Sequence, residues 1–163
     1  RDLHSFPTRR SSDLWIRLTM KRKIMALDVG DKTIGVAVSD ALLLTAQGIT
    51  TIDRIGIRKD TAKVLELIKE HNCGTLIIGL PLNLDGTYSV QTENVKDFKL
   101  MMDNKLMSSG MKDVKTKFQD ERFTTVMAEK VLIEADMSRK KRKKVIDKQA
   151  AVLILQSYLD SVR

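Results

Sequence analysis

Four acidic residues of this chain, Asp28, Asp120, Glu121 and Asp147, lie at the ends of predicted strands and helices. Asp28 ends an apolar run just before a glycine, and Asp120 and Glu121 follow a segment of alternating apolar residues. Carboxylate oxygens are the ligands that Mg²⁺ and Mn²⁺ prefer, and two such ions can clamp a phosphodiester during in-line displacement. Acids from distant segments meet when those segments end at one edge of a sheet. These residues therefore predict a two-metal nuclease site.

The acids also have structural alternatives. Asp28 could be a turn residue of a hairpin, and Asp120 and Glu121 could form a solvated acidic turn with Arg122 as their partner. Side chains of neighbouring residues in a strand point to opposite faces. We therefore expect only one of Asp120 and Glu121 to face the metals, and which of them is the main ligand stays open.

Asp147 heads an apolar stripe in the last predicted helix. Ala150, Ala151 and Ile154 share its helical face. The alternative role is an N-cap or first-turn acid that complements the helix dipole. However, an acid at the rim of a buried stripe is costly unless it is paired or bound to a metal. The stripe favours a ligand role, and its small alanines predict a close approach of the helix to the sheet.

The composition bounds the class of protein. The chain has 163 residues, 42% hydrophobic and 31% charged, which is typical of a soluble globular domain. No apolar stretch approaches the roughly 20 residues that a spanning helix needs, so we predict no membrane segment. The single cysteine, Cys73, cannot form an internal disulfide and fits a structural role in a cytoplasmic protein. The net charge of +8 suits a nucleic-acid binder.

The first 19 residues differ from the rest of the chain. They lack an initiator Met and clean periodicity, and they contain no apolar segment of a secretory signal. The stretch 1–14 also resembles translated sequencing-adapter read-through. We therefore predict that residues 1–19 are an extraneous or disordered leader and that residues 20–163 form a single domain, which remains basic without the leader.

The order of predicted elements indicates an α/β fold. Strands are predicted at 20–29, 34–40, 46–52, 75–79 and 114–119, and helices at 60–70, 89–107, 124–135 and 145–159, with a basic linker at 137–144. Three meandering antiparallel strands followed by two right-handed parallel crossovers predict a five-stranded mixed sheet flanked by helices. Strands one, four and five would then lie side by side, with their carboxyl ends at one crevice.

Several polar residues are candidates for nucleic-acid binding. The predicted contacts are Lys32, Asn83, Arg122 and the run Arg139, Lys140, Lys141, Arg142, Lys143 and Lys144. Such cations would contact backbone phosphates and carry little sequence information; the alternative is a solvated charged face. Asn83 belongs to a loop at 79–87 that could hold a phosphate at a helix N-terminus or simply connect two elements. The aromatic content of 4% argues against extensive base stacking.

Four blocks of the sequence, at 25–40, 78–87, 120–125 and 144–151, resemble the signature blocks of the YqgF/RuvX family. These RNase H-like proteins are known as pre-16S ribosomal RNA nucleases and as Holliday junction resolvases. The resemblance covers residues 20–163, in order and with compatible spacing. It implies an RNase H-like fold with Asp28, Glu121 and Asp147 as catalytic acids. Phe123, where Leu is more usual, and Asp31, where a small polar residue is common, are departures that leave these acids intact.

We therefore expect a nuclease that uses Mg²⁺ or Mn²⁺, with Asp28, Glu121 and Asp147 as ligands and Asp120 as an alternative ligand. The expected substrate is the 5′ end of pre-16S ribosomal RNA in the small-subunit precursor. The alternatives are a resolvase of branched DNA and a non-catalytic nucleic-acid-binding module. The segment 28–38 also resembles the phosphate loop of actin-like ATPases, but those proteins need two such domains. Whether the protein is a monomer or a homodimer stays open.

Overall fold

The computed structural model describes residues 21–121 and 139–163, and for residues 139–144 it describes the backbone. The strands of the described part are β1 (Lys23–Val29), β2 (Thr33–Ser39), β3 (Ala46–Asp53), β4 (Cys73–Leu80) and β5 (Lys115–Asp120). Its helices are α1 (Ile57–Glu70), α2 (Val90–Ser108) and α3 (Arg139–Ser161). The predicted leader, Arg122, Phe123 and the helix predicted at 124–135 lie outside the described residues.

The five strands form one mixed sheet in the order β3-β2-β1-β4-β5. β1 pairs antiparallel with β2, β2 pairs antiparallel with β3, and β4 pairs in parallel with both β1 and β5. The predicted meander with two parallel crossovers is therefore confirmed. The carboxyl ends of β1, β4 and β5 lie at one edge of the sheet.

The two faces of the sheet pack against different helices. Met25 and Leu27 of β1 point to the core shared with α1 and α2, which includes Phe98. Ile24 and Ala26 alternate with them and pack against α3 on the other face. The central strands β1, β2 and β4 are largely buried, as their continuous apolar runs predict, whereas the edge strands β3 and β5 are partly exposed.

Helix α3 lies very close to the sheet at Gly35 of β2. A Cβ atom at Gly35 would overlap the backbone carbonyl of Asp147. Further along α3, Ala150, Ala151 and Ile154 are buried against the sheet. The predicted close approach is confirmed, and it depends on a glycine of the sheet as well as on the alanines of the helix.

The predicted linker at 137–144 is wrong from residue 139 onward, because α3 begins at Arg139. Arg and Lys have good helix propensity, so a run of cations continues a helix that tertiary packing already stabilises. Similarly, α1 begins at Ile57 rather than at Asp60. The Asp60 carboxylate accepts a hydrogen bond from the Ile55 amide at 3.0 Å, so from the first turn of α1 it holds the residue that precedes the N-cap Gly56. Among the described residues, no helix is long and apolar enough to span a membrane.

Candidate functional site

Asp28 lies between two glycines of the neighbouring strands. Gly35 is its antiparallel partner on β2. On β4, Gly79 follows Ile78, which is the parallel partner of Leu27, so Gly79 lies on the other side of Asp28. Adjacent residues of paired strands project to the same face, and both positions lack a side chain. Asp28 is 5% exposed, and the two glycines leave room beside it on the α3 face.

Asp147 fills the space beside Gly35. Its carboxylate accepts a hydrogen bond from the hydroxyl of Thr33, the first residue of β2. A Cβ atom at Gly30 would lie 3.4 Å from Asp147 Oδ2, so this carboxylate reaches the turn that follows Asp28. Asp147 is the ninth residue of α3. The alternative prediction that it caps the helix is wrong, since the basic run supplies two further helical turns before it.

Glu121 fills the space beside Gly79. A Cβ atom at Gly79 would overlap Glu121 Oε1 and would lie 2.6 Å from Ile154 Cδ1. The Glu121 amide continues the β4–β5 pairing by donating to the carbonyl of Leu80 at 3.3 Å. The structure therefore brings Glu121 and Asp147 to opposite sides of Asp28, each in a space left by a glycine.

Asp120 and Glu121 point to opposite faces. Asp120 pairs with Leu80, and Phe118, two residues earlier on β5, packs against the α1 and α2 side. By alternation Asp120 lies on that side and Glu121 lies on the α3 side. Glu121 is buried, at 7% exposure, whereas Asp120 is half-buried. Geometry thus favours Glu121 as the acid that faces Asp28.

The three acids fit a divalent cation by their chemistry, since carboxylate oxygens are its preferred ligands. Asp28, Glu121 and Asp147 are all buried at the rim of the sheet, and each has an interaction partner. Within residues 21–121 and 139–163, no three His, Cys, Asp or Glu side chains form a ready-made set of metal ligands. Asp28, Glu121 and Asp147 are instead neighbours around the spaces that Gly35 and Gly79 leave.

The predicted nucleic-acid contacts have different surroundings. Lys32 is exposed in the turn between β1 and β2, next to the acids. Asn83 is exposed, but its side-chain amide donates to Thr87 Oγ1 at 2.9 Å, and its backbone amide donates to the Thr87 carbonyl at 3.0 Å. Both hydrogen bonds of Asn83 therefore stabilise the loop to which it belongs. The run 139–144 forms the first turns of α3, so its backbone precedes Asp147 on the same helix.

Sequence reasoning missed several residues that shape the site. Gly35 and Gly79 interrupt buried strands, and a glycine inside a strand is a known signal of close approach. Thr33 is β-branched and is the first residue of a strand. Its sequence context therefore suggests an ordinary strand residue and does not indicate the hydrogen bond to Asp147. Arg54, from the loop after β3, donates from Nη1 to the carbonyl of Gly30 at 2.9 Å. That interaction carries no local sequence signal.

Solved structures share the arrangement of strands and helices found in this chain. A Thermus thermophilus RuvC bound to a Holliday junction superposes with a TM-score of 0.54 at 10% identity, covering 87% of this chain and 96% of that one. The yeast mitochondrial Holliday junction resolvase Ydc2 gives a TM-score of 0.51 at 10% identity, covering 96% and 90%. At these identities the likeness concerns the fold alone, and it confirms the predicted RNase H-like fold.

The family follows from sequence. The RuvX family, described as a Holliday junction resolvase, matches residues 22–161. A relative from Clostridioides difficile (strain 630), named "Putative pre-16S rRNA nuclease", is 51% identical over 138 residues, covering 85% of this chain and 94% of its own. A relative of the same name from Heliobacterium modesticaldum is 48% identical over 139 residues, covering 85% and 89%. The chain belongs to the RuvX family of nucleases, as its signature blocks predict.

Proposed function

We propose that this protein is a metal-dependent endonuclease that processes the 5′ end of pre-16S ribosomal RNA. The observation that carries the proposal is the placement of Glu121 and Asp147 on either side of Asp28, in the spaces that Gly79 and Gly35 leave. Burying three acids at one rim is costly unless cations or hydrogen bonds compensate them. The name shared by relatives about half identical to this chain supports the RNA substrate.

In this proposal Asp28, Glu121 and Asp147 hold Mg²⁺ or Mn²⁺ ions. Such ions, when bound, supply an activated water and charge stabilisation at the leaving oxygen. The chain itself orients the carboxylates. Thr33 holds the Asp147 side chain through its hydroxyl, and the contact of α3 with Gly35 fixes the height of that residue above the sheet.

The surrounding charge would bind the phosphate backbone. The chain carries a net charge of +8, Lys32 is exposed in the turn beside the acids, and six cations at 139–144 open α3. Nucleic-acid contacts of this kind release counterions, so binding should weaken steeply with salt. Processing of a ribosomal RNA precursor would place the protein in the cytoplasm, on the precursor of the small ribosomal subunit.

Side-by-side cleavage tests this proposal. A transcript with the 5′ leader of pre-16S RNA and a four-way DNA junction are incubated with the wild-type protein and Mn²⁺. Parallel reactions contain excess EDTA or the Asp28→Asn variant. We expect endonucleolytic cleavage of the RNA leader, and loss of cleavage in both controls. Full activity in EDTA would exclude the metal-dependent reaction.

A second candidate is a resolvase of branched DNA. It is favoured by the similarity of the fold to RuvC and by the description of the family. A resolvase would need a two-fold dimer to cut two symmetric strands. Preferential, paired cleavage of the four-way junction by a dimer would favour this candidate over the first. Tight binding of the RNA without cleavage would instead favour a non-catalytic binding module.

A further inference from the structure

Within the described part of the chain, the end of β1 and the turn that follows it accept three hydrogen bonds from other elements. Gln91 Nε2 of α2 donates to the carbonyl of Val29 at 2.8 Å. Arg54 Nη1 donates to the carbonyl of Gly30 at 2.9 Å, and the Arg54 amide donates to the carbonyl of Lys32 at 2.8 Å. Two of the three bonds come from one residue, Arg54, which lies in the loop between β3 and α1.

Arg54 is itself fixed by the two helices on its side of the sheet. Its Nε atom lies 3.1 Å from Oδ2 of Asp60 in α1, whose side chain is fully buried. The second oxygen of Asp60 accepts from the Ile55 amide at 3.0 Å. The guanidinium carbon lies 5.9 Å from the centre of the Phe98 ring of α2. With its side chain only 20% exposed, Arg54 is a rigid link between the helices and the turn.

The turn held by Arg54 carries two parts of the acidic site. It begins at Gly30, two residues after Asp28, and it ends at Thr33, whose hydroxyl donates to Asp147. The Gly30 amide donates to the Thr33 carbonyl at 2.9 Å, so the two ends of the turn move together. A shift of the turn would therefore displace both Asp28 and the donor that holds Asp147. Displacements of about 1 Å at a reacting centre can cost about 100-fold in rate.

We propose that Arg54 is a positioning residue of the nuclease site, which acts through the turn at 30–33. The proposal rests on the function proposed above. Arginine suits this role because its planar fork presents Nε to the Asp60 carboxylate and Nη1 to the Gly30 carbonyl in fixed geometry. Lysine would keep the positive charge, but its ammonium group lacks the planar fork that reaches the Asp60 carboxylate and the Gly30 carbonyl together. The role of Arg54 therefore depends on the shape of the guanidinium as well as on its charge.

The Arg54→Lys variant tests this role, and the chain offers a matched control. Arg22 also links a carboxylate to a strand carbonyl: it pairs with Asp113 and donates from Nη2 to the carbonyl of Cys73 at 2.7 Å, at the other end of the sheet. We expect Arg54→Lys to lower kcat by about 10- to 100-fold with little change in KM. Arg22→Lys should cleave like the wild type.

Hydrogen exchange provides a readout that does not depend on cleavage. In Arg54→Lys, the peptide that contains the amides of Gly30 and Thr33 should exchange faster than in the wild type, while the core of β1 and β4 keeps its protection. Faster exchange everywhere would mean that Arg54 only stabilises the fold, and this would overturn the proposal. In Arg22→Lys the exchange of the turn should be unchanged.

Chemical rescue sharpens the test further. Arg54 borders an open cavity of about 440 Å³ that Asp31, Gly56, Asp60 and Asp97 also line. In Arg54→Ala, millimolar guanidinium should enter this space and restore part of the lost kcat, whereas sodium at equal ionic strength should not. Wild-type cleavage and exchange in Arg54→Lys would overturn the role of Arg54. If the wild type cleaves neither substrate but the turn still loosens in Arg54→Lys, the proposed function fails and the positioning of the turn stands.

Discussion

At both ends of the sheet a strand glycine makes room for a charged side chain, but the sign of the charge differs. At the amino end, Gly74 leaves room for the side chain of Arg22, which binds Asp113 and a strand carbonyl. At the carboxyl end, Gly79 leaves room for the carboxylate of Glu121 instead. A glycine in a buried strand thus admits either a cation that joins two strands or an acid that faces another acid.

The difference lies in the charge that each end collects. At the amino end polar groups pair with one another: Arg22 binds the exposed Asp113, and the Ile24 amide donates to Ser39 Oγ at 2.9 Å. The carboxyl end places three acids around one strand and holds the turn beside them with Arg54. Polar contacts at the amino end join Arg22 to the sheet, whereas those at the carboxyl end surround the site that we propose for catalysis.

The largest expected effect concerns the acid at the centre of the carboxyl end. Asp28→Asn removes a charge without changing shape, so the fold should persist while cleavage falls by at least about 1,000-fold, the scale of several kcal/mol of metal-ion catalysis. Rates are measured on the RNA leader with Mn²⁺. Asp31→Asn is the matched control, because Asp31 is an exposed acid three residues away, and it should keep most of the activity. Equal losses in the two variants would contradict a specific role for Asp28.

The two glycines give the second prediction, which tests the comparison directly. Gly79→Ala would push a Cβ atom into Glu121 Oε1 and Ile154, so we expect a loss of about 1–3 kcal/mol in stability and a fall in kcat of about 100-fold. Gly74→Ala would place its Cβ 2.9 Å from the Cβ of Arg22. It should cost similar stability without changing kcat. Urea unfolding and single-turnover cleavage measure the two quantities.

If Gly74→Ala lowered kcat as much as Gly79→Ala did, loss of stability alone would explain both results. The carboxyl end would then have no special relation to the reaction. The comparison is sound only if both variants are assayed well below their melting temperatures.

Features set by neighbouring residues could be predicted from the sequence, whereas features set by contacts between distant residues could not. β1 and β2 were predictable because their apolar runs and the turn at 30–33 are local signals. The start of α3 was not, because the charge run at 139–144 has the composition of a linker and becomes helical through packing further along. The spaces at Gly35 and Gly79 depend on strand register, and the link from Arg54 to Gly30 joins residues 24 apart. Such interactions emerge only when the fold is known.

The basic run gives the third prediction. Replacing Lys140, Lys141, Arg142 and Lys143 by Gln should flatten the salt dependence of RNA binding by up to about four units of log–log slope, one for each phosphate that the variant no longer neutralises. The control replaces four exposed lysines near the amino end of the sheet, namely Lys21, Lys69, Lys112 and Lys115. Both variants have the same net charge. Equal slopes in the two variants would mean that net charge, and not the position of the run, determines binding.

The smallest expected effect lies at the amino end, at Cys73. This buried residue opens β4, and burial raises the pKa of its thiol from 9.0 to about 11. Since the folded state binds this proton more tightly than the unfolded state does, the thiol contributes its full stability below pH 9. That contribution is lost as the pH rises from 9 to 11, by up to about 2 kcal/mol. The free energy of unfolding of the wild type should therefore fall toward that of Cys73→Ala over this range.

Cleavage is the second measurement on Cys73, because the amino end should not affect the reaction. At pH 8, Cys73→Ala should keep the wild-type kcat, and a thiol reagent should modify the folded wild type far more slowly than the unfolded chain. Rapid modification of the folded protein at pH 8 would show that the thiol is not held neutral by burial. A fall in kcat without a fall in stability would contradict the separation of the two ends, since Cys73 would then influence acids that lie at the far end of β1 and β4.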